Sequence, residues 1–501
     1  MIKIVLPGEA YYYDVQALTK AFYPLEELTY DFGEAEEVSV APKSEEAQQI
    51  KFTFETDKIG ISFEKGGIPV FEAFSPQITE TEEEVYKKQY KNEVKRLLYR
   101  CLSSVSGRKL DWGTLTGVRP TKIPMAYYMA GMSEQAVHDK MKEEYYISSA
   151  KSELCCEIAR RELDLLEQLD YEKGYSIYIG IPFCPTTCLY CSFTSYSYEK
   201  LGHHAESYLE ALFKEIDYAK DCLPGRKLES IYIGGGTPTA LCEEQFGRLL
   251  KKVRETFDFT HVKEFTVEAG RPDSITEEKL LLMKEYGVGR ISINPQTMQQ
   301  KTLDIIGRSH TVEQIKEAFL MARQIGHDNI NMDLIVGLPG ETLEDVDDTL
   351  RQIGELDPDS VTIHSLVTKR AARLNMNREL RDCDNIDEMV EHGRLFCKEH
   401  GYAPYYMYRQ KNTTGSSRSA NQENVGYAKE GKEGIYNILI MEEKQIILAL
   451  GAGGSSKFVF PGENRVERVE NVKSLTDYIS RIDEMIERKR SFIEREYNVE
   501  G

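Results

Sequence analysis

The stretch Tyr178-Ile179-Gly180-Ile181-Pro182-Phe183-Cys184-Pro-Thr-Thr-Cys188-Leu-Tyr-Cys191 decides the reading of this chain. An apolar, strand-like run delivers three cysteines spaced C-x3-C-x2-C. Structural zinc and ferredoxin-type sites bring four protein ligands. Three close thiolates without a fourth fit an iron–sulfur cubane with one iron left open. An open iron binds a small molecule through that molecule's own nitrogen and oxygen atoms.

Outward from the cysteines, the pattern alternates strand, loop and helix. Strands are expected at 176–181, 230–234, 264–268, 290–294, 329–336 and 360–366. Amphipathic helices are expected near 205–220, 242–257, 276–286, 311–325 and 342–356. Such alternation implies parallel strands with helical crossovers. Six units make a partial barrel, an incomplete relative of the eightfold one, whose sites sit at the strands' C-terminal ends. Chemically suggestive residues recur at those ends. The first strand runs into the cysteines and the second ends in Gly234-Gly-Gly-Thr-Pro-Thr239. The third ends at Glu268-Ala-Gly270, the fourth at Asn294-Pro-Gln296, and the fifth carries Asp333 before Gly337-Leu-Pro339.

The expected fold class is therefore α/β: a partial (β/α)6 barrel with an α+β N-terminal extension and an α+β C-terminal region closing it. The expected boundaries are 1–170, 171–385 and 386–501. In the first segment, 2–6, 50–56 and 59–63 read as strands, and helical pattern starts at Glu82. The only tryptophan, Trp112, reads as a packing anchor between subdomains. In the last segment, Tyr436-Asn-Ile-Leu-Ile440 and Gln445-Ile-Ile-Leu-Ala-Leu450 read as a strand pair, and 473–490 as a final helix.

Composition narrows the function. The chain has 501 residues, 83 acidic against 63 basic, for a net charge of −20. Binding of a nucleic acid would need a basic face that this balance disfavours. Mean hydropathy is −0.46, and no run of about 18 apolar residues exists, so no membrane span is expected. The N-terminal apolar run is too short for a signal peptide. The ten cysteines then read as reduced cytoplasmic thiols open to metal. Cys155 and Cys156 are helix neighbours pointing about 100° apart and read as small buried residues.

Taken singly, the glycine loop lets backbone approach a ligand closely, and Glu268 suits a ribose hydroxyl or a cationic amine. Gln296 and Asp333 suit an adenosine or a substrate. Arg308 is able to pair bidentately with a carboxylate, as are Arg370, Arg373 and Arg409. His364 reads as a hydrogen-bonded wall residue. Tyr405, Tyr406 and Tyr408 read as rings capping the barrel or packing its core.

The three-cysteine spacing is the signature of the radical SAM superfamily. Together with Ile181-Pro-Phe-Cys184, Gly234-Gly-Gly-Thr-Pro-Thr239, Glu268, Gln296, Arg308 and Asp333-Leu-Ile-Val-Gly-Leu-Pro339, the chain resembles the oxygen-independent coproporphyrinogen III oxidase family, or coproporphyrinogen dehydrogenase. Trp112-Gly-Thr-Leu-Thr-Gly-Val-Arg-Pro120 and Tyr405-Tyr-Met-Tyr-Arg-Gln-Lys411 look most like its Firmicute-type branch. The resemblance implies a [4Fe-4S] cluster on Cys184, Cys188 and Cys191, and S-adenosylmethionine (SAM) split to a 5'-deoxyadenosyl radical. It implies contacts to the cluster-bound SAM from Tyr178, Gly235 and Glu268. Tyr190, Gly236, Thr237, Gln296, Arg308, Asp333 and Val367 match positions that contact a second SAM.

The implied reaction is oxidative decarboxylation of two propionates of coproporphyrinogen III to give protoporphyrinogen IX. The implied partners are the porphyrinogen and a reduced donor such as flavodoxin or ferredoxin, and a monomer is expected. Phe193 stands where the best-known oxidases carry a further cysteine, and Gly180 where they have histidine. The alternative is the sister group of haem chaperones, which bind and transfer haem without this oxidation.

Overall fold

The computed structural model describes residues 1–33, 47–366, 385–409, 423–460, 463 and 465–496. The chain divides into two compact units, Met1–Arg160 with Arg409–Gln422, and Arg161–Tyr408 with Glu423–Gly501.

The first unit is built on a five-stranded sheet, β1 (Ile2–Leu6), β2 (Leu28–Phe32), β3 (Gln48–Phe54), β4 (Ile59–Lys65) and β5 (Ile68–Phe74), in the order β2-β1-β3-β4-β5. Parallel pairing of β1 with β2 follows from the helix Tyr12–Phe22 between them, whereas β3, β4 and β5 form an antiparallel meander. Alternation places Ile59, Ile61 and Phe63 in the core, against Val94, Leu98 and Leu102 of the helix Glu83–Ser106. Trp112 is fully buried, with the Lys151 ammonium and the Arg409 guanidinium over its ring.

The second unit carries the βα repeat. Its strands are β6 (Gly174–Ile181), β7 (Phe183–Cys184), β8 (Tyr196–Ser197), β9 (Lys227–Gly235), β10 (Glu264–Gly270), β11 (Arg290–Ile293), β12 (Ile330–Val336) and β13 (Ser360–Ser365), then β14 (Ala403–Arg409), β15 (Glu423–Ala428), β16 (Ile446–Leu450), β17 (Ser455–Phe460) and β18 (Arg465–Glu470). One sheet runs β14-β15-β13-β12-β11-β10-β9-β6-β16-β17-β18. Its six central strands, β6 and β9 to β13, pair in parallel and in chain order, as the alternation implies. Helices Ala205–Ala219, Glu243–Thr256, Glu277–Glu285, Val312–Ile325 and Leu343–Leu356 fill the crossovers. Threonine caps start the last three. Thr311 with Gln314 and Thr342 with Asp345 form full capping boxes.

The C-terminal strands extend this sheet at both edges. β15 runs antiparallel to β13, and β16 runs parallel to β6. Among the described residues β14 and β18 end the sheet and do not pair with each other, so the barrel is partial.

Two expectations near the C-terminus fail. Tyr436–Ile440 is helical, within Ile435–Glu442, rather than a strand. Its first two free amides, at Ile435 and Tyr436, donate to the Glu264 carboxylate. A buried carboxylate at a helix N-terminus meets both the unpaired N–H groups and the positive end of the dipole, which outweighs the β-propensity of the isoleucines. The final helix is also split, as Leu475–Ser480 and Ile482–Glu496. No described helix is long and apolar enough to cross a membrane.

Candidate functional site

Parallel register sets the site. Tyr178 pairs with Tyr232 and Gly180 with Gly234, so β6 and β9 end together and release the cysteine loop and the glycine loop side by side. The cysteine loop leaves from Phe183–Cys184 and returns at Tyr196–Ser197, the β7–β8 ladder. The Tyr196 amide donates to Pro182 (2.8 Å), and the Leu189 amide reaches across to Ile306 (3.0 Å). The glycine loop is stitched to the same place. Gly236 N–H donates to Ile181 O (2.8 Å), and Thr237 N–H to Phe183 O (2.6 Å). Thr237 Oγ1 also donates to Cys184 Sγ at 3.6 Å.

This closeness is what the glycines permit. A Cβ on Gly236 would lie 2.5 Å from Phe183 O and 2.9 Å from Cys184 Sγ, and one on Gly234 would lie 2.9 Å from the Glu268 carboxyl. Gly235 sits at φ +110°, a left-handed conformation that a side chain would strain.

Cys184, Cys188 and Cys191 are half-buried free thiols on this loop. Burial pushes the Cys184 thiol up to about 11 and raises Cys191 as well, so loading metal must release protons. Among the described residues no group of three or more His, Cys, Asp or Glu closes on a single metal ion. A cubane does not require that, because its ligand sulfurs stand apart on separate irons. The donor set of three thiols and the side-chain-free cradle at Gly236 therefore fit a cluster rather than a lone ion.

Glu268, at the end of β10, accepts from the Tyr232 phenol and from the Gly235 amide, and burial pushes its carboxyl up to about 7. Tyr232 stacks on Tyr436 (4.5 Å between centroids) and on Tyr178 (6.2 Å), giving an aromatic wall beside the carboxylate. Burial holds all three phenols protonated. Further round the sheet, Gln296 bridges to Leu334 at φ +68°, and its amide donates to Asp333 O (2.9 Å). Burial alone would raise the Asp333 carboxyl. Hydrogen bonds from His364, Asn331 and Thr362 hold it below the ordinary aspartate range instead. His364 is thus a wall residue, 3.9 Å from Asp333.

Arg308 is buried, with Nη1 donating to the Asn294 and Pro295 carbonyls and Nε without a partner among the described residues. Burial works against its charge, yet the Tyr190 phenol and the Cys188 sulfur beside it hold the guanidinium above its ordinary range. It lies beside the Cys188 sulfur and the Tyr190 phenol.

The structure thus brings together Tyr178, Cys184, Cys188, Tyr190, Cys191, Gly235, Gly236, Thr237, Glu268 and Arg308, with Gln296 just after β11 and Asp333 midway along the neighbouring β12. Arg409 is engaged elsewhere, donating to Leu115 O and covering Trp112. Val367, Arg370 and Arg373 lie outside the described residues, as do Lys411 and the polar stretch 412–421. Tyr405 is not a cap at the cysteine end. It accepts from Asn437 and lies near Arg290 and Glu264, at the opposite ends of the strands.

Sequence reasoning passed over Tyr232 and Tyr436, although Tyr232 sits two residues before Gly234 and shares its face. It also passed over Arg271, Asp273 and His310. Phe193 is 74% exposed beside the last cysteine.

The radical SAM superfamily profile matches residues 178–353, and such a domain implies a [4Fe-4S] cluster and SAM. The oxygen-independent coproporphyrinogen-III oxidase-like protein HemZ of Bacillus subtilis (strain 168) is 41% identical over 429 residues, covering 84% of each chain. The heme chaperone HemW of the same organism is 32% identical over 61% of this chain and 76% of its own. Among solved structures, coproporphyrinogen III oxidase (HemN) from Escherichia coli, a radical SAM enzyme, superimposes with a TM-score of 0.51 at 25% identity, covering 65% of this chain and 72% of that one. On fold, motif order and these likenesses, the chain belongs to the oxygen-independent coproporphyrinogen III oxidase family of the radical SAM superfamily.

Proposed function

We propose that the protein oxidatively decarboxylates two propionates of coproporphyrinogen III to vinyl groups, giving protoporphyrinogen IX. The observation that carries this reading is the cysteine loop stitched to a glycine loop whose neighbour is a half-buried carboxylate, Glu268, in a chain so similar to HemZ. When bound, the cluster and SAM supply a 5'-deoxyadenosyl radical. Each turnover removes a hydrogen atom, CO2 and one electron from a propionate, and the electron leaves to an acceptor.

The chain's own residues hold and orient. Cys184, Cys188 and Cys191 ligate the cluster. Glu268 receives the hydroxyls or the ammonium of SAM, and Gly235 offers backbone at close range. The Tyr178, Tyr232 and Tyr436 wall keeps bulk water from the carboxylate. Tyr190, Gly236, Thr237, Gln296, Arg308 and Asp333 border the space for a second SAM. A reduced flavodoxin or ferredoxin supplies electrons, and the protein acts as a cytoplasmic monomer.

Under anaerobic, reducing conditions, the protein with SAM and coproporphyrinogen III should yield protoporphyrinogen and 5'-deoxyadenosine. Deoxyadenosine without decarboxylated porphyrinogen counts against the reading. The likeness to heme chaperones supports a second reading, haem binding and transfer. Tight haem binding that yields to an apo-haemoprotein, with no turnover, would favour it.

A further inference from the structure

Gly270-Arg271-Pro272-Asp273 directly follows Glu268-Ala269 at the end of β10, and its arginine is 2% exposed. A buried guanidinium needs its donors used, and here most of them are. Nε and Nη2 take the two oxygens of Asp273 (2.9 and 2.5 Å). Nη1 reaches the cysteine loop and donates to Thr186 O (3.1 Å) and Thr186 Oγ1 (2.6 Å). On the far side, His310 is fully buried with Nδ1 3.6 Å from Asp273.

The root of the arginine is also fixed. Ser274 N–H and Oγ donate to Arg271 O, and Ser274 meets Thr239 of the glycine loop (2.8 Å). Thr186 is the middle residue of the x3 spacer between Cys184 and Cys188. Its hydroxyl donates in turn to Gly307 O (3.3 Å), next to the Ile306 carbonyl that holds Leu189.

We propose that Arg271, backed by Asp273, is the positioning residue that sets the cysteine loop for its cluster. A forked cation reads two acceptors on one loop residue at once, which a point charge does not reproduce. Fixing the centre of a three-residue spacer limits how far the sulfurs at its ends can wander. Such supporting contacts typically change metal affinity by about 10–100-fold. The iron arm of the test rests on the cluster reading; the exchange arm does not.

Two variants of the full chain separate the outcomes. Arg271→Lys keeps the charge and removes the fork. Thr186→Val keeps Arg271, Asp273 and the Thr186 carbonyl contact but removes the hydroxyl that accepts from Nη1 and donates to Gly307 O. In apo-protein, hydrogen–deuterium exchange of the peptide bearing the Leu189 amide should quicken about tenfold in both. In anaerobically reconstituted protein, release of iron to a ferrous chelator should quicken by about the same factor. Far-UV circular dichroism and the thermal midpoint of Thr186→Val should stay at wild type.

Exchange and iron release within about twofold of wild type in Thr186→Val overturn the proposal, even where Arg271→Lys does not fold. Wild-type protein that takes up no cluster refutes the cluster reading, while the exchange comparison still decides the clamp.

Discussion

Gly236→Ala is the most searching substitution for the site as described. The added Cβ would meet Phe183 O at 2.5 Å and Cys184 Sγ at 2.9 Å, where 3.4 Å begins ordinary contact. The shortfalls are about 0.9 and 0.5 Å. The carbonyl cannot yield cheaply, because it accepts from Thr237 N–H at 2.6 Å. The sulfur is the softer side, and relief of the clash displaces it by roughly half an ångström. Metal–ligand distances hold within about 0.2 Å, so the ligand leaves its place. Overpacking of this kind costs about 1–3 kcal/mol, which leaves the fold standing while the site fails.

The assay is iron and sulfide content with visible absorption after anaerobic reconstitution, beside a thermal melt. Iron should fall to less than about half that of wild type. Gly247→Ala is the control. It lies in the helix Glu243–Thr256, and its Cβ would meet only Leu282 methyls at 3.4 and 3.5 Å. It should be neutral or stabilise by about 0.5–1 kcal/mol. Wild-type iron and absorption in Gly236→Ala would refute the argument that the two loops close on one cluster.

Cys188→Ala should lose the broad brown absorption and the iron of about four per chain; retained iron removes Cys188 from the ligand set. Glu268 carries a raised carboxyl, at about 7, and either SAM hydroxyls or its ammonium favour the ionised form. SAM should therefore bind about tenfold more weakly at pH 6 than at pH 8, and Glu268→Gln should flatten that dependence in titration calorimetry; a flat wild-type profile contradicts it. The same shift has a sign for stability, since the folded chain favours neutral Glu268. Its contribution is present below the unfolded pKa and is lost as pH rises through about 7. Lys489 and Glu215 form a fully buried ion pair that also engages Asn471, Tyr478 and the Gly451 amide. Lys489→Met should cost on the order of 3–5 kcal/mol in denaturant unfolding, and a loss under about 1 kcal/mol would show the pair to be dispensable.

Local periodicity carried the parallel repeat, because each strand and helix of the repeat is specified by its own residues and caps. The same holds for the cysteine and glycine loops, where spacing and strand ends are adjacent in sequence. What stayed hidden depends on distant partners. Tyr436–Ile440 reads as strand until Glu264 caps it. Arg271 looks like a turn arginine until Thr186 is brought to it. Arg409 looks like a site cation until Trp112 and Leu115 take it up. Tyr232 was within reach of pattern alone, since period two puts it on the face of Gly234.

One pairing bears on how the protein is made. β6, the strand that ends at the cysteines, lies between β9 and β16, and its partners in the latter are Ile446 to Leu450. A nascent chain leaving the ribosome therefore carries that strand with one flank bare until some 270 further residues have emerged. Contacts this remote in sequence form late. The flank of the strand that launches the cysteine loop is therefore expected to be among the last parts of the sheet to close.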